Sequence, residues 1–111
     1  ISAEAGLKSQ RAADAADAAV IAEGRALAAG DSMRCTECHQ FRRKDDDASA
    51  PDLTGYGSRE WLIANLSDAA HERFYGKRND RMPAFGKDEV LDAQSIGLLA
   101  DWLRGDWYEA R

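Results

Sequence analysis

Five consecutive residues, Cys35-Thr36-Glu37-Cys38-His39, constrain this chain more than anything else in it. They contain both of its cysteines and one of its two histidines. Two thiols three positions apart can reach the two vinyl groups of one porphyrin, and the adjacent imidazole then comes up beneath the iron. A disulfide framework would carry more cysteines, spread along the chain. A thioredoxin-like dithiol belongs to a βαβ context, and a zinc site needs two further ligands where only His39 and His71 are on offer. The motif therefore predicts one covalently attached haem c, held by Cys35, Cys38 and His39.

The 111 residues, 44% of them hydrophobic, suit one small domain. Small domains bury a low fraction of their surface, so a bulky apolar cofactor is a natural supplement to the core. A net charge of −5 argues against a general nucleic-acid binder, which needs clustered Lys and Arg in excess. No apolar run approaches the roughly 20 residues of a transmembrane segment, and the N-terminus lacks the features of a signal peptide. The chain starts at Ile1 rather than Met and reads as a piece of a longer product, with any anchor or export signal outside it.

Residues 2–29 are Ala-rich with scattered charges, which predicts a first helix. Val20, Gly24, Leu27 and Ala28 share the face expected to turn to a core, whereas residues 1–18 read as a helical extension or tether to a domain at 19–111. Gly30 and Asp31 end that helix. Residues 41–57 carry the Pro, Gly and Asp signals of a long loop, a length expected where a loop wraps a ligand. Ser58 is placed to cap a helix over 59–70 with Leu62, Ile63, Leu66 and Ala70 on one side. A second loop runs from His71 to about Val90. Asp92 then caps a last helix ending near Arg104, with Ile96, Leu99 and Leu103 along its buried face and Gly105 as its stop. With no strand pattern and no repeat, the expected fold is all-α: three main helices and two long loops around one haem.

A six-coordinate iron needs a second axial ligand, and the candidates are Met33, Met82 and His71. Met33 is too close to Cys35 to reach the opposite face of the ring and is read as a packing residue. Met82, in the Pro-punctuated stretch Arg81-Met82-Pro83-Ala84-Phe85-Gly86, can cross the far face, with His71 the alternative and otherwise a surface residue. A neutral thioether favours ferrous iron, which implies a carrier on the oxidising side of a chain. Two filled axial positions leave no place for substrate, so electron transfer rather than catalysis is expected. The run Asp45-Asp46-Asp47 reads as a hydrated loop, not a calcium site.

On these residues the chain resembles the class I c-type cytochromes over roughly residues 20–104. Ala50-Pro51-Asp52-Leu53 is similar to that family's Gly-Pro-x-Leu segment, with Ala50 in place of Gly. The resemblance implies that the Pro51 carbonyl accepts a hydrogen bond from His39 and that Leu53 packs on the ring. It makes Tyr56, Arg59 and Trp61 candidates for the haem propionates, the alternative for Trp61 being a half-buried residue at a helix start. Arg81-Met82-Pro83-Ala84-Phe85 is similar to the family's distal loop, which adds Pro83 and Phe85 to the haem-binding set. Gly24, with Gly97 and Trp102, resembles the family's crossing of terminal helices, although Ala28 stands where an aromatic is usual.

Residues 50–62 and 99–107 look most like c-type domains fused to membrane cytochrome b subunits of quinol-oxidising respiratory complexes. That likeness implies redox partner proteins such as a cytochrome b or a terminal oxidase, and an N-terminal connection to a membrane domain. The family's haem attachment machinery implies a periplasmic or extracytoplasmic location. Two rivals stay open: a haem-bearing electron-acceptor subunit of a dehydrogenase, and a haem sensor or enzyme with an open distal site. Arg59, Arg73, Lys77, Arg78, Arg81 and Lys87 precede an acidic tail, and either steer an acidic partner or form an ordinary solvated surface.

Overall fold

Alanine supplies helix propensity but few packing contacts, and most helical stability in proteins comes from packing. The computed structural model describes residues 1–107 and divides the Ala-rich segment accordingly. Short 3-10 turns at Ser2–Ala5 and Lys8–Gln10 precede helix α1, Arg11–Ala16, and helix α2, Ala18–Ala29. This corrects the single first helix read from the sequence. Gly6, at φ +61, breaks the first junction, and Asp17, at ψ 18, separates α1 from α2. The end of α2 is as expected, with the Gly30 N–H bonded to the carbonyls of Ala26 and Leu27.

Helices α3, Arg59–Ser67, and α4, Ala93–Leu103, start at the predicted caps. The Ser58 hydroxyl accepts from the Trp61 N–H at 3.1 Å, and Asp92 Oδ1 accepts from the Ser95 N–H at 2.8 Å. Such a cap satisfies one of the four N–H groups that a helix start leaves unpaired. Gly105, at φ +71, stops α4.

The faces that α3 and α4 bury differ from those expected. Trp61 is the buried residue of α3, with Leu62, Ile63 and Leu66 only half-buried and Ala70 exposed. Helix α4 buries Ile96, Gly97 and Ala100, while Leu99 and Leu103 are exposed. Small residues at 97 and 100 let α4 lie against α3. The Arg59 guanidinium comes within 3.0 Å of where a Cβ at Gly97 would be, on its way to Asp101 at 2.8 Å.

That packing also corrects the expected crossing of the terminal helices. Gly24 has no atom within 4 Å of its would-be Cβ, Val20 is 68% exposed and Trp102 62% exposed. Helix α4 uses its small-residue face on α3, so α2 instead packs beside the turn at Cys35–Glu37.

Among the described residues there are four α-helices and no strand, the only extended pairing being an isolated parallel bridge between His39 and Ala50. The all-α class is therefore as expected. The chain spreads over 44 × 42 × 18 Å with a radius of gyration of 15.4 Å. A fully compact chain of this length would have about 13 Å. The core is correspondingly thin: Phe41, Trp61, Ala69, Phe74, Ile96 and Ala100 are its buried apolar residues. Tyr56 and Phe74 meet the Trp61 ring edge-on, with centroids 4.8 and 5.1 Å away.

The N-terminal turn is anchored to this body. Glu4 is buried and reaches Arg25, Arg42 and the Gly55 N–H. Arg104 Nη1 donates to the carbonyls of Ala5, at 2.5 Å, and Gly57, at 2.8 Å. The expected tether at 1–18 thus has its first residues tied to α2, to the first loop and to the end of α4.

Candidate cofactor site

The Cys35–His39 segment begins with a reversal of the chain. Arg34 adopts φ +59, unusual for a side-chain-bearing residue, and a 3-10 turn over Cys35–Glu37 follows. The His39 N–H then closes onto the Cys35 carbonyl at 3.0 Å. Both thiols are free, Cys38 exposed and Cys35 partly so. Across the first loop, the N–H groups of Ser49 and Ala50 both donate to the Cys38 carbonyl at 2.9 Å. Those bonds bring Pro51 beside the imidazole. His39 Nδ1 lies 2.7 Å from the Pro51 carbonyl oxygen, so it carries the proton and Nε2 keeps a free lone pair for a metal.

Asp52, read from the sequence only as the variable position between Pro51 and Leu53, is the hub of this loop. It is buried, and its Oδ1 accepts from the Thr54 N–H at 2.8 Å. Its Oδ2 accepts from Gln40 Nε2 at 3.2 Å and lies 3.4 Å from Arg73 Nε. Its backbone N–H donates to the Arg73 carbonyl at 2.8 Å, and its carbonyl accepts from Trp61 Nε1 at 2.9 Å. A buried Asp needs several donors, and apart from the Thr54 N–H these come from residues far apart in sequence, so the local pattern does not announce its burial.

The three propionate candidates are differently placed. Trp61 is buried rather than half-buried, with its N–H committed to Asp52. Arg59 is committed to Asp101; their hydrogen bond raises the guanidinium pKa and holds Asp101 below the ordinary carboxylate value. Tyr56 is exposed at the edge of the Trp61 ring. Leu53 is half-buried, its N–H donating to the Gln40 carbonyl at 2.9 Å.

The second loop holds Met82 by its backbone. Asn79 Oδ1 accepts from the Met82 N–H at 3.1 Å, and Asn79 Nδ2 donates to the Met82 carbonyl at 2.8 Å. Asn three residues ahead of its partner is a recognisable turn signal. Beyond Pro83 the loop runs along the end of α3, with Phe85 N–H to Leu66 carbonyl and Gly86 N–H to Ser67 carbonyl both 3.2 Å. Met82 lines a cavity of about 340 Å³ with Asn65, Tyr75, Arg78, Asn79, Asp80 and Arg81. His71 is exposed, and its Nδ1 accepts from the Arg73 N–H at 3.1 Å. Met33, expected to pack, is exposed because the turn into Cys35 carries it outward.

Among the described residues, no group of three or more His, Cys, Asp or Glu side chains converges to hold a metal ion, the trio Cys35, Cys38 and His39 included. What the motif offers is a pair of thiols and one imidazole lone pair set along a turn. Leu53, Leu62, Ile63, Leu66 and Phe85, on the two loops and α3, are half-buried apolar side chains. Two thiols and one imidazole are one ligand short of a closed tetrahedral site, and they are the residue types that can bond an apolar ring and ligate a metal.

The basic residues singled out from the sequence are mostly engaged. Arg59 and Arg73 pair with Asp101 and Asp52, Arg81 with Asp80, and Lys87 with Asp68. Arg78 donates to the Ser49 carbonyl, and only Lys77 lacks a partner among the described residues. Glu109 and Arg111 of the acidic tail lie outside the described residues. Among the described residues, no helix is long and apolar enough to cross a membrane. No protein-family model, curated protein or solved structure matches this chain.

Proposed function

We propose that this chain is a single-electron carrier built on one covalent haem c. The observation that carries the reading is the His39 Nδ1 contact with the Pro51 carbonyl beside two free thiols in Cys-x-x-Cys-His spacing. Cys35 and Cys38 would form the thioethers, each S–H adding across one vinyl group. His39 Nε2 would be the proximal ligand and Met82 sulfur the distal one. Leu53, Pro83 and Phe85 would pack on the ring. The bound group would supply a one-electron iron couple, and the chain would hold its ligands. Asp52 fixes the Pro51 carbonyl, that carbonyl orients the imidazole, and Asn79 fixes the backbone that presents the thioether. Among the described residues, Tyr56 is the one propionate candidate whose polar group has no hydrogen-bond partner, since Arg59 and Trp61 are committed to Asp101 and Asp52.

The partners that suit such a carrier are redox proteins of a quinol-oxidising respiratory chain, a cytochrome b or a terminal oxidase among them, on the periplasmic or extracytoplasmic face of a membrane. Because four of the six basic residues are paired with carboxylates of the chain itself, long-range charge steering is left mainly to Lys77 and Arg78.

Absorption spectra of the matured protein in both redox states, with a pyridine haemochrome assay, test the reading. Haem c together with a weak far-red ferric band that disappears in Met82→Ala is the expected result. Haem c without that band, with rapid carbon monoxide binding to the reduced protein, would favour an open distal site and a sensor or enzyme. A properly matured protein without haem c sinks the proposal.

A further inference from the structure

Helix α4 is apolar on two sides. Ile96, Gly97 and Ala100 are buried, and Leu98, Leu99, Trp102 and Leu103 form a second stripe at i, i+1, i+4 and i+5. That stripe is open to solvent, with Leu98 63% and Leu103 53% exposed beside the exposed Leu99 and Trp102. Trp107, also exposed, donates its Nε1–H to the Trp102 carbonyl at 3.2 Å, which holds it at the C-terminal end of α4. A helix that is apolar all round is normally covered all round, and an exposed apolar patch of this size on a small domain marks an interaction surface.

The stripe carries no charge. Gln94 and Ser95 continue it toward the start of the helix. The charged residues at the end of α4 are spent within the chain, Asp101 on Arg59 and Arg104 on Asp106. A charged partner would find nothing to pair with here. A lipid surface recruits amphipathic helices through Lys and Arg set beside the apolar side chains, and this stripe has neither. A second copy of the chain presents the same neutral surface, so packing the two together buries apolar side chains and no ion. The four stripe residues and Trp107 expose about 500 Å² per copy, so the pair would bury on the order of 1,000 Å², the threshold for a specific interface.

We propose that this face of α4 is the contact surface of a two-fold dimer, α4 lying antiparallel on α4 of the second copy with Leu98, Trp102 and Leu103 at the centre. Antiparallel packing sets the start of each helix beside the end of the other, the favourable arrangement of helix dipoles. The face contains none of the candidate haem residues, so the dimer stands or falls separately from the haem c reading. An interface at the threshold area is weak, and the net charge of −5 on each copy opposes it, so screening by added salt should strengthen it.

Sedimentation equilibrium of the matured chain between about 10 and about 500 µM tests this. The mean mass should rise with concentration from that of one chain, 12.2 kDa before any cofactor, toward twice that value, and should rise further at higher salt. Leu98→Lys places an unpaired charge in the contact and should weaken association at least about tenfold. Val20→Lys, on the exposed stripe of α2, should leave it unchanged. Should Leu98→Lys not fold, ¹⁵N spectra of the wild type on dilution give the second measurement: the Trp102 indole and the Leu98 and Leu103 amides should shift while those of Val20 and Leu27 stay. A wild type that remains monomeric at the highest concentration overturns the proposal. Association that survives Leu98→Lys, or that Val20→Lys weakens equally, overturns it by placing the contact elsewhere. Binding of a monomeric wild type to phosphatidylcholine vesicles, lost in Leu98→Lys, overturns it by giving the face to a lipid surface.

Discussion

The 2.7 Å contact between His39 Nδ1 and the Pro51 carbonyl joins the end of the cysteine motif to the far side of the first loop. The loop between them returns because two N–H groups, of Ser49 and Ala50, share the Cys38 carbonyl. Its exit is fixed by Asp52, whose backbone and carboxylate tie it to Gln40, Thr54, Trp61 and Arg73. The imidazole is therefore oriented by the loop as a unit, and the loop is oriented by the aromatic cluster around Trp61.

Asp52→Ala tests this chain of support. It removes the acceptors of the Thr54 N–H and of Gln40, and the partner of Arg73, at a residue only 6% exposed. Loss of a buried, multiply bonded carboxylate should destabilise the protein by about 2–4 kcal/mol in urea unfolding. A cost below about 0.5 kcal/mol, the level of an ordinary surface change, would mean the loop does not depend on Asp52.

Asn79→Ala addresses the other loop. Both bonds between the Asn79 amide and the Met82 backbone would be lost, leaving the segment before Pro83 without its internal brace. Local opening should become easier by about 1.4 kcal/mol or more, so the Met82 amide should exchange with solvent at least about tenfold faster. The Trp61 amide, on α3, should keep its protection. Equal acceleration at both sites would show that the substitution loosens the whole domain, and unchanged exchange at Met82 would show that the brace is immaterial.

Sequence reading succeeded where the signal is local. The caps at Ser58 and Asp92, the stops at Gly30 and Gly105, and both long loops were legible because each depends on residues a few positions apart. The bond from His39 to Pro51 was implied by a family resemblance. Helix faces were misread where competing partners decide them. Periodicity marks Leu99 and Leu103 as apolar but cannot show that Gly97 and Ala100 allow the closer approach to α3. Val20, Gly24 and Leu27 form a correct helical stripe on a helix whose expected partner face is used elsewhere. Asp52, Glu4 and Arg104 were missed because most of their partners lie in distant segments, and a lone polar residue in a sequence looks like surface.

Glu4 and its partners give a pH-dependent consequence. Its side chain is 2% exposed, with Oε1 2.8 Å from Arg25 Nε and 2.6 Å from Arg42 Nη2. Its Oε2 accepts from the Gly55 N–H at 2.9 Å. Burial alone would push the carboxyl pKa up; the Gly55 N–H and the two arginines outweigh it and hold the pKa below the ordinary value of 4.5. A lowered folded-state pKa means that the carboxylate's contribution is fully present above the unfolded value and is lost as pH falls through the folded one. Glu4→Gln keeps the shape and removes the charge. At about pH 7 it should cost about 1–2 kcal/mol, held to that range because both arginines are substantially solvent-exposed. In acid, as pH falls through the lowered folded-state pKa and Glu4 itself becomes protonated, the gap between wild type and variant should narrow. Urea unfolding at neutral pH and at a series of acid pH values reads this directly. No difference at neutral pH would show that Glu4 does not clamp the N-terminal turn, and a gap that persists undiminished in acid would show that the clamp works through shape rather than charge.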